Sequence, residues 1–389
     1  MQPWNTFAEG DNLDVVPLLA PAYGPFDVVY LDPPYNTGNP FAYQDKVAGR
    51  RADRHRAWAA MIRPRLEVVR DATSERGAVF ASIDDHEAAR LRLLMDEVFG
   101  EENFVAQIVV NLNPKGRQLG WGFATSHEYL LVYARALPTC VLEASITSKV
   151  DPGDFPLVAE DGRRYRRLPL RNTNKKFNPV TAPTMHFAIY GSPETGWVTT
   201  APFPGALEIK PVFGDGAPAV WRWSAAKIDA QPEDLVCRWV GRGDRRRADV
   251  FQRDWLHAGR RKKLRTIWLA EEVGSTDTAV VELKALVGHL FESPKPTGLL
   301  RRILETMPDD ARVLDPFAGS GTTGHAVALQ NAADGGRRTC LSVNSPEPVR
   351  TGSNADLAGH TRVSDVTRAR LSAVADVVGG GFDEFILDC

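Results

Sequence analysis

Four consecutive residues, Asp32-Pro33-Pro34-Tyr35, combine hydrogen-bond acceptors with an aromatic ring directly after a predicted strand at residues 26–31. Proline cannot continue a central strand, so the strand is expected to end there. The Asp32 carboxylate and the Pro33 carbonyl are both acceptors, which suits an exocyclic amino group, and the Tyr35 ring can stack on a base. The alternative is a simple turn, because Asp-Pro-Pro is also common turn chemistry.

A second candidate site is the glycine-rich segment 315–322, which lies between a predicted strand and a predicted helix. Gly319 and Gly321 allow the backbone to approach a ligand closely. The segment has the pattern F-x-G-x-G and lacks the lysine of a phosphate-binding loop. It therefore favours a small ligand with an adenosine part and a zwitterionic tail. A tight strand–helix turn without a ligand is the alternative.

These two motifs, together with Gly10-Asp11-Asn12 near the start, resemble the amino-methyltransferases of DNA. The resemblance implies that S-adenosylmethionine binds at the F-x-G-x-G loop and that D-P-P-Y holds the target amino group. D-P-P-Y precedes F-x-G-x-G with a variable region between them, and this order resembles the β class of the family.

Three further segments look like the modification subunits of type III restriction systems. They are Asn172-Thr173-Asn174-Lys175-Lys176-Phe177-Asn178-Pro179, His127-Glu128-Tyr129-Leu130-Leu131-Val132-Tyr133, and Pro294-Lys295-Pro296 followed by Leu299-Leu300. The resemblance covers residues 5–345. The chain is short beside typical modification subunits, so a reduced recognition region is expected.

The resemblance also implies which residues bind the cofactor. Asp11 is expected to contact its adenine and Lys295 to flank its methionine end. Asn344, with Glu347 three residues later, stands where many methyltransferases carry an acidic residue for the ribose hydroxyls. The expected cofactor site comprises Asp11, Asp32, Lys295, Asp315, Phe317, Gly319, Ser320, Gly321, Thr322 and Asn344.

Aspartate at position 32 favours adenine N6 as the methyl acceptor by family habit, and cytosine N4 is the alternative. An ionised Asp32 and the Pro33 carbonyl are each expected to accept one N6 hydrogen. Transfer is then direct, with no covalent enzyme intermediate and no metal, and positioning is the main catalytic contribution. Because a base inside a duplex cannot be reached, it is expected to flip out and stack on Tyr35.

The elements that must position these motifs alternate between strands and helices. Apolar runs predict strands at residues 26–31, 77–83, 128–133, 312–314 and 339–343, and helical spacing predicts helices over 58–70, 87–99, 279–287, 298–305, 322–329 and 363–378. This alternation favours a mostly parallel, Rossmann-like α/β sheet covered by helices. Residues 1–139 and 276–389 are expected to form one catalytic and cofactor-binding domain. Residues 140–275 are expected to form an inserted, mixed or β-rich target-recognition domain.

Charge is nearly balanced over 389 residues, with 47 Lys and Arg against 49 Asp and Glu. Residues 151–275, however, hold 21 basic and 15 acidic residues, a net of +6, which leaves −8 elsewhere. This asymmetry favours contact between the insertion and double-stranded DNA. The candidate DNA-binding residues are Asn172, Asn174, Lys175, Arg260, Arg261 and Lys262. A solvated basic surface is the alternative for the run at 260–262.

Several other classes of protein do not fit. The four cysteines lack a C-x-x-C pair or zinc spacing, and Leu131 breaks the H-E-x-x-H zinc pattern that His127-Glu128 begins. No signal peptide and no membrane-spanning apolar run are seen. We therefore expect a cytoplasmic protein with no metal site. A DNA-binding protein without catalysis is the competing function, and the resemblance is compatible with a homodimer and with a restriction subunit as partner.

Overall fold

The structure is a computed structural model, which describes residues 5–37, 51–116, 122–146, 150–243, 246–378 and 382–387. Of residues 51 and 52 only the backbone is described. Cys389, one of the four cysteines, lies outside these ranges. Within them, no helix is both long and apolar enough to cross a membrane.

The described strands and helices alternate along both ends of the chain. The strands are β1 (Asn5–Glu9), β2 (Phe26–Leu31), β3 (Thr73–Ile83), β4 (Phe104–Val110), β5 (Glu128–Ala134), β6 (Ser145–Ile146), β7 (Leu157–Val158), β8 (Arg164–Pro169), β9 (Ile189–Gly191), β10 (Val198–Thr199), β11 (Leu207–Ile209), β12 (Leu235–Val240), β13 (Arg247–Trp255), β14 (Lys262–Lys263), β15 (Ile267–Trp268), β16 (Arg312–Asp315), β17 (Thr339–Asn344) and β18 (Phe382–Ile386). The helices are α1 (Asn12–Tyr23), α2 (Arg51–Ala72), α3 (Ala88–Phe99), α4 (Ala225–Ala230), α5 (Ala270–Val273), α6 (Thr276–Val287), α7 (Thr297–Leu304), α8 (Thr322–Asp334), α9 (Asn354–Leu357) and α10 (Val363–Val378).

Nine of the described strands form one sheet in the order β15-β4-β5-β3-β2-β16-β17-β1-β18. Neighbouring strands in it are parallel except at β5, which runs antiparallel to both β3 and β4. The predicted mostly parallel α/β sheet is therefore confirmed. The sequence patterns miss β1, β4, β15 and β18. In β1 the reason is plain: Asn5 and Glu9 are polar yet almost fully buried, so no apolar run marks the strand.

Helices cover both faces of this sheet and build a core on each. On one face α1, α2 and α3 pack against the strands, and their apolar stripe includes the fully buried Val15, Trp58 and Leu91. On the other face α7 and α8 contribute Leu299 and Val327 to a second cluster. Two covered faces explain why the central strands are apolar runs rather than alternating patterns.

The chain divides into two compact units. The larger comprises residues 1–146 and 263–389, and the smaller comprises residues 147–262. The predicted boundaries, after 139 and before 276, cut too much chain from the larger unit. The reason is that Leu142 packs against the core of the larger unit, and β15 pairs with β4 and buries Trp268 there.

The smaller unit is built from short strands, as a β-rich insertion requires. Strands β12-β13-β8-β7 form one antiparallel sheet, and β10-β9-β11 form a second. Its core is apolar and includes Leu170, Trp221 and Val250. Its charge is strongly positive, with 20 Lys and Arg against 13 Asp and Glu over residues 147–262, a net of +7.

Candidate active site

The two motifs lie side by side because β2 and β16 are adjacent parallel strands. In such sheets a ligand crevice opens at the carboxyl ends of the strands. Here a cavity of about 840 Å³ occupies that edge. Its lining includes these predicted site residues: Asp11, Asp32, Pro34, Tyr35, Lys295, Asp315, Phe317, Gly319, Ser320, Thr322 and Asn344. The cavity therefore joins the D-P-P-Y segment to the F-x-G-x-G loop.

The D-P-P-Y segment, Glu128 and Lys295 form a polar cluster in the cavity lining. The Lys295 ammonium lies 3.1 Å from Asp32 Oδ1 and 3.0 Å from Glu128 Oε2, and it donates to the Tyr35 hydroxyl oxygen at 2.8 Å. The Tyr35 hydroxyl in turn lies 2.8 Å from Asp32 Oδ1 and 3.0 Å from Glu128 Oε2. Both contacts to Asp32 converge on Oδ1, and Oδ2 has no partner among the described residues. One oxygen of Asp32 is therefore available to a substrate.

Glu128 is a site residue that sequence reasoning missed. It begins β5, and β5 runs antiparallel to its neighbours, so its first residue lies at the same edge as the last residues of β2 and β3. The sequence marks His127-Glu128 as part of a family-like segment and as an incomplete zinc pattern, and neither signal assigns Glu128 to the site. The only sequence signal for this role is an acidic residue at the start of an apolar strand. This signal does not indicate whether the strand runs parallel or antiparallel to its neighbours in the sheet.

The charges in this cluster shift the pKa values of Asp32, Lys295 and Tyr35. Burial raises the pKa of Asp32; the Lys295 ammonium opposes this shift and the Glu128 carboxylate adds to it. Burial disfavours the charged form of Lys295, but the two carboxylates outweigh it and raise the Lys295 pKa. Burial, Asp32 and Glu128 hold the pKa of Tyr35 well above its ordinary value. Lys295 is thus the group that favours the ionised Asp32 that the sequence predicts.

Lys295 and Tyr35 therefore have surroundings that the sequence did not predict. Lys295 was expected beside the methionine end of the cofactor, and Tyr35 was expected to stack on a base. In the structure the Lys295 ammonium lies 4.8 Å from the Tyr35 ring centroid, and both groups contact Asp32. They orient the carboxylate of Asp32 as well as lining the cavity.

The D-P-P-Y backbone is held from behind by α2. The fully buried Trp58 donates its indole N–H to the Pro34 carbonyl at 2.6 Å. Pro33 is buried and does not belong to the described cavity lining. Its predicted role as a carbonyl acceptor stays a prediction, whereas the Pro34 carbonyl already has a donor.

Asp315 organises the F-x-G-x-G loop. Its carboxylate accepts hydrogen bonds from the Phe317 backbone N–H at 3.0 Å and from the Thr323 hydroxyl at 2.5 Å. Burial raises the pKa of Asp315 to about 7. Gly319 and Gly321 have φ values of +50° and +78°, a backbone region that favours glycine. The loop conformation therefore depends on these two glycines and on a carboxyl group below them.

This burial predicts a pH-dependent stability. An aspartate in an unfolded chain titrates near pH 3.9, so between about pH 4 and about pH 7 only the folded protein holds a proton at Asp315. The free energy of unfolding therefore falls as pH rises through this range, by up to about 4 kcal/mol. Asp315→Asn cannot ionise and is expected to flatten this slope in urea denaturation measured across the range. Parallel pH dependence in both proteins contradicts the assignment.

Further side chains brace the loop from α10 and β17. Thr367 Oγ1 and Asn344 Nδ2 both donate to the Gly319 carbonyl, at 2.6 and 3.2 Å. Asn344 and Glu347 both line the cavity, so a contact of either with the cofactor ribose stays a prediction, while the Asn344 amide nitrogen holds the loop. Gly321 does not line the described cavity. A β-carbon there would lie 3.3 Å from the Thr367 carbonyl oxygen, so Gly321 serves close packing against α10.

A buried arginine lies beneath the same loop. Arg370 is fully buried and donates to Ser320 Oγ at 3.1 Å and to Thr322 Oγ1 at 2.8 Å. Burial lowers its pKa to about 10, and burial beside this cation lowers the pKa of His325 to about 3. The Ser320 and Thr322 hydroxyls, predicted to meet the cofactor, therefore already accept hydrogen bonds from the protein.

Asp11 is likewise engaged. Its carboxylate caps α1 by accepting from the Leu13 backbone N–H at 2.9 Å, and it forms an ion pair with Arg65 at 2.9 Å. The side chain remains about half exposed at the cavity rim. No group of three or more His, Cys, Asp or Glu side chains in the described residues is arranged to hold a metal ion.

Comparison with known proteins fits this geometry. Residues 26–333 match the N6_N4_Mtase family, described as DNA methylase. The chain belongs to this DNA methylase family. The resemblance seen in the sequence and the Rossmann-like methyltransferase fold are thereby confirmed.

Individual relatives resemble this chain along most of the chain's length. The EcoPI Mod subunit, a type III restriction-modification enzyme of Escherichia phage P1, is 33% identical over 408 residues, covering 95% of this chain and 62% of that protein. The type II methyltransferase M.KpnI of Klebsiella pneumoniae is 32% identical over 360 residues, covering 90% of this chain and 82% of that protein. The StyLTI Mod subunit of Salmonella typhimurium is 28% identical, covering 95% and 57%. The chain thus spans less than two thirds of each of these two Mod subunits.

The predicted DNA-binding residues lie in the smaller unit, and most of their side chains already have hydrogen-bond or ion-pair partners. Asn172 and Asn174 accept hydrogen bonds from backbone N–H groups two residues further on. Lys175 pairs with Asp215, Arg260 with Asp254 and Lys262 with Asp154, at 2.6, 2.9 and 3.3 Å. Arg261 is exposed. The positive charges expected to meet DNA are therefore mostly compensated within the unit itself.

Proposed function

We propose that the protein is an S-adenosylmethionine-dependent, site-specific DNA methyltransferase that modifies adenine N6 in double-stranded DNA. One observation carries the proposal: the Asp32 carboxylate and the F-x-G-x-G loop line a single cavity at the carboxyl ends of adjacent parallel strands. Family membership supports the reaction class. Restriction-modification or a solitary methylase is the proposed setting.

The cavity suits this cofactor. Gly319 is open toward it, since a β-carbon there would approach nothing closer than 3.7 Å, yet its left-handed backbone favours glycine. Phe317 and Phe291 supply apolar surface, and Asp11 and Glu347 supply carboxylates for ring or ribose groups. When bound, S-adenosylmethionine supplies an electrophilic methyl group. The residues proposed to hold it are those of the loop, with Asp11 and Glu347 at the rim.

The chain's own residues prepare the acceptor. Lys295 and Tyr35 fix Asp32 through Oδ1, so Oδ2 can accept one hydrogen of an exocyclic amino group. The Pro33 carbonyl is proposed as the second acceptor. Two acceptors concentrate the lone pair of the amino nitrogen, and holding that nitrogen in line with the methyl donor is the main source of rate. The target base flips out of the duplex to reach this depth.

Incubation with radiolabelled cofactor and unmodified duplex DNA tests the proposal, and long-read sequencing of the product identifies the base and the site. Methylation at adenine N6 supports it. Methylation at cytosine N4 contradicts the choice of base but keeps the reaction class. DNA binding without any transfer contradicts catalysis and favours a non-catalytic DNA-binding protein.

Glu128 predicts a shift in the pH dependence of methyl transfer. Its negative charge adds to the raised pKa of Asp32, so Glu128→Gln is expected to lower that pKa. The acidic limb of the pH profile of kcat/KM then moves to lower pH. Glu97→Gln, which removes an exposed carboxylate that pairs with Arg63, is the control. An unmoved acidic limb in Glu128→Gln contradicts the role of Glu128.

The assembly remains part of the proposal. Relatives include type III Mod subunits and a type II methyltransferase, which supports either a restriction subunit as partner or independent action. A homodimer is compatible with both. Sedimentation of the protein alone and with duplex DNA measures the oligomeric state directly.

A further inference from the structure

One face of the sheet β12-β13-β8-β7 in the smaller unit carries arginines alternating with aromatic rings. The strand register pairs Tyr165 with Trp255 and Arg167 with Arg253. Side chains two residues apart on a strand share a face. We call the set Arg163, Tyr165, Arg167, Phe251, Arg253 and Trp255 the arginine–aromatic ladder.

Contacts between the side chains confirm that they share this face. Arg163 lies over the Trp255 ring with its guanidinium carbon 4.0 Å from the centroid. Arg253 lies 5.6 Å from the Tyr165 centroid and 5.7 Å from that of Trp255, and Arg167 lies 5.7 Å from Phe251. Tyr165 and Trp255 pack with their centroids 5.1 Å apart. Each guanidinium is thus held against a ring.

The charge of the ladder is only partly compensated: Arg163 pairs with Asp161 at 2.6 Å, whereas Arg167 and Arg253 have no ion pair among the described residues. Among the described residues, Arg167 is exposed and has no ion pair. Arg253 donates to the Glu233 carbonyl at 3.3 Å, and its buried Nε has no hydrogen-bond partner in the described ranges. On the opposite face Asp254 pairs with both Arg166 and Arg260, at 2.7 and 2.9 Å. Arg167 and Arg253 are therefore the two ladder guanidinium groups without a carboxylate partner in the described ranges.

We propose that the arginine–aromatic ladder is the surface through which the smaller unit binds the phosphate backbone of duplex DNA. The choice of DNA as the partner rests on the proposed function, whereas the geometry of the ladder does not depend on it. Stacking on a ring leaves the N–H edge of a guanidinium free to donate to phosphate oxygens, and it reduces the freedom that binding must remove. Lys175, Arg260 and Lys262, which the sequence singles out, have carboxylate partners and contribute less.

The test measures affinity of the full-length protein for a fluorescent duplex of random sequence over a series of salt concentrations. The Arg167→Ala/Arg253→Ala variant is compared with Arg70→Ala/Lys210→Ala, which removes the same charge from positions that pair with Asp71 and Glu208. Each lost phosphate contact lowers the salt slope by about 1. The ladder variant is therefore expected to lose about 2 in slope and roughly 10- to 100-fold in affinity near 0.1 M salt, and the control to retain both.

Arg167→Ala alone guards against a folding defect, because Arg167 is exposed; it is expected to lose about 1 in slope. If the ladder variants match the wild type in affinity and slope while the wild type methylates DNA, the ladder proposal fails. If the wild type binds DNA through the ladder but transfers no methyl group, the proposed catalytic function fails and the ladder stands.

Discussion

Asp32→Ala is expected to lower the rate of methyl transfer at least about 100-fold, the usual cost of removing one group that stabilises a transition state. Asp32 lines the cavity; its Oδ1 is held by Lys295 and Tyr35, and its Oδ2 has no hydrogen-bond partner among the described residues. Without that acceptor, the amino group loses its orientation and its lone pair stays delocalised. Single-turnover transfer of a labelled methyl group to duplex DNA measures the effect.

Binding of S-adenosylmethionine to this variant is expected to survive, since the F-x-G-x-G loop is braced by Asp315, Thr367 and Arg370 rather than by Asp32. Isothermal titration separates the two effects. Asp32→Asn is the matched variant: it keeps the size and an oxygen acceptor but loses the charge. Full turnover by Asp32→Ala contradicts the catalytic assignment, and loss of cofactor binding in both variants reassigns Asp32 to the cofactor site.

Trp58→Ala is expected to destabilise the protein by about 3–5 kcal/mol, the range seen when a large buried aromatic is truncated. Trp58 is fully buried between α2 and the sheet and belongs to the main core cluster. Its indole also donates to the Pro34 carbonyl, so the substitution removes both packing and the support of the D-P-P-Y backbone. Urea denaturation gives the loss of stability.

Trp58→Phe separates the two contributions, because it keeps most of the ring volume and removes the donor. An unsatisfied buried acceptor costs about 1–3 kcal/mol, so this variant is expected to be more stable than Trp58→Ala. Its methyl transfer is nevertheless expected to fall, because Pro34 adjoins both Pro33 and Tyr35. Wild-type transfer rates in Trp58→Phe contradict a role for this hydrogen bond in positioning the motif.

Much of the larger unit can be predicted from local patterns. The strand at 26–31, the helix at 363–378 and the loop at 315–322 are marked by apolar periodicity, by proline and by glycine. Each of these signals arises from a few neighbouring residues. Where the pattern is weak, as in the partly polar but buried β1, prediction fails, because β1 pairs with β17 and β18 and Glu9 is buried against Arg362 and Arg368.

The division into units shows a second limit. Composition locates the basic insertion, but β15 returns to the central sheet beyond it, and only the pairing of Ile267 and Trp268 with β4 reveals this. Likewise, counting basic residues cannot separate paired from unpaired charges. Lys175 and Arg260 lie in segments that the sequence singles out, yet both have acidic partners. Arg167 and Arg253 come to lie opposite each other only through the register of β8 with β13.

Short motifs thus indicate the chemistry of the site, because D-P-P-Y and F-x-G-x-G can be recognised from their own residue types and from the strand that ends before each of them. Which distant side chains contact these motifs depends on packing. Glu128 reaches Lys295 because β5 runs against the rest of the sheet, and Arg370 reaches Ser320 because α10 packs beneath the loop. Strand direction and helix placement arise from contacts between distant segments, and no local pattern carries them.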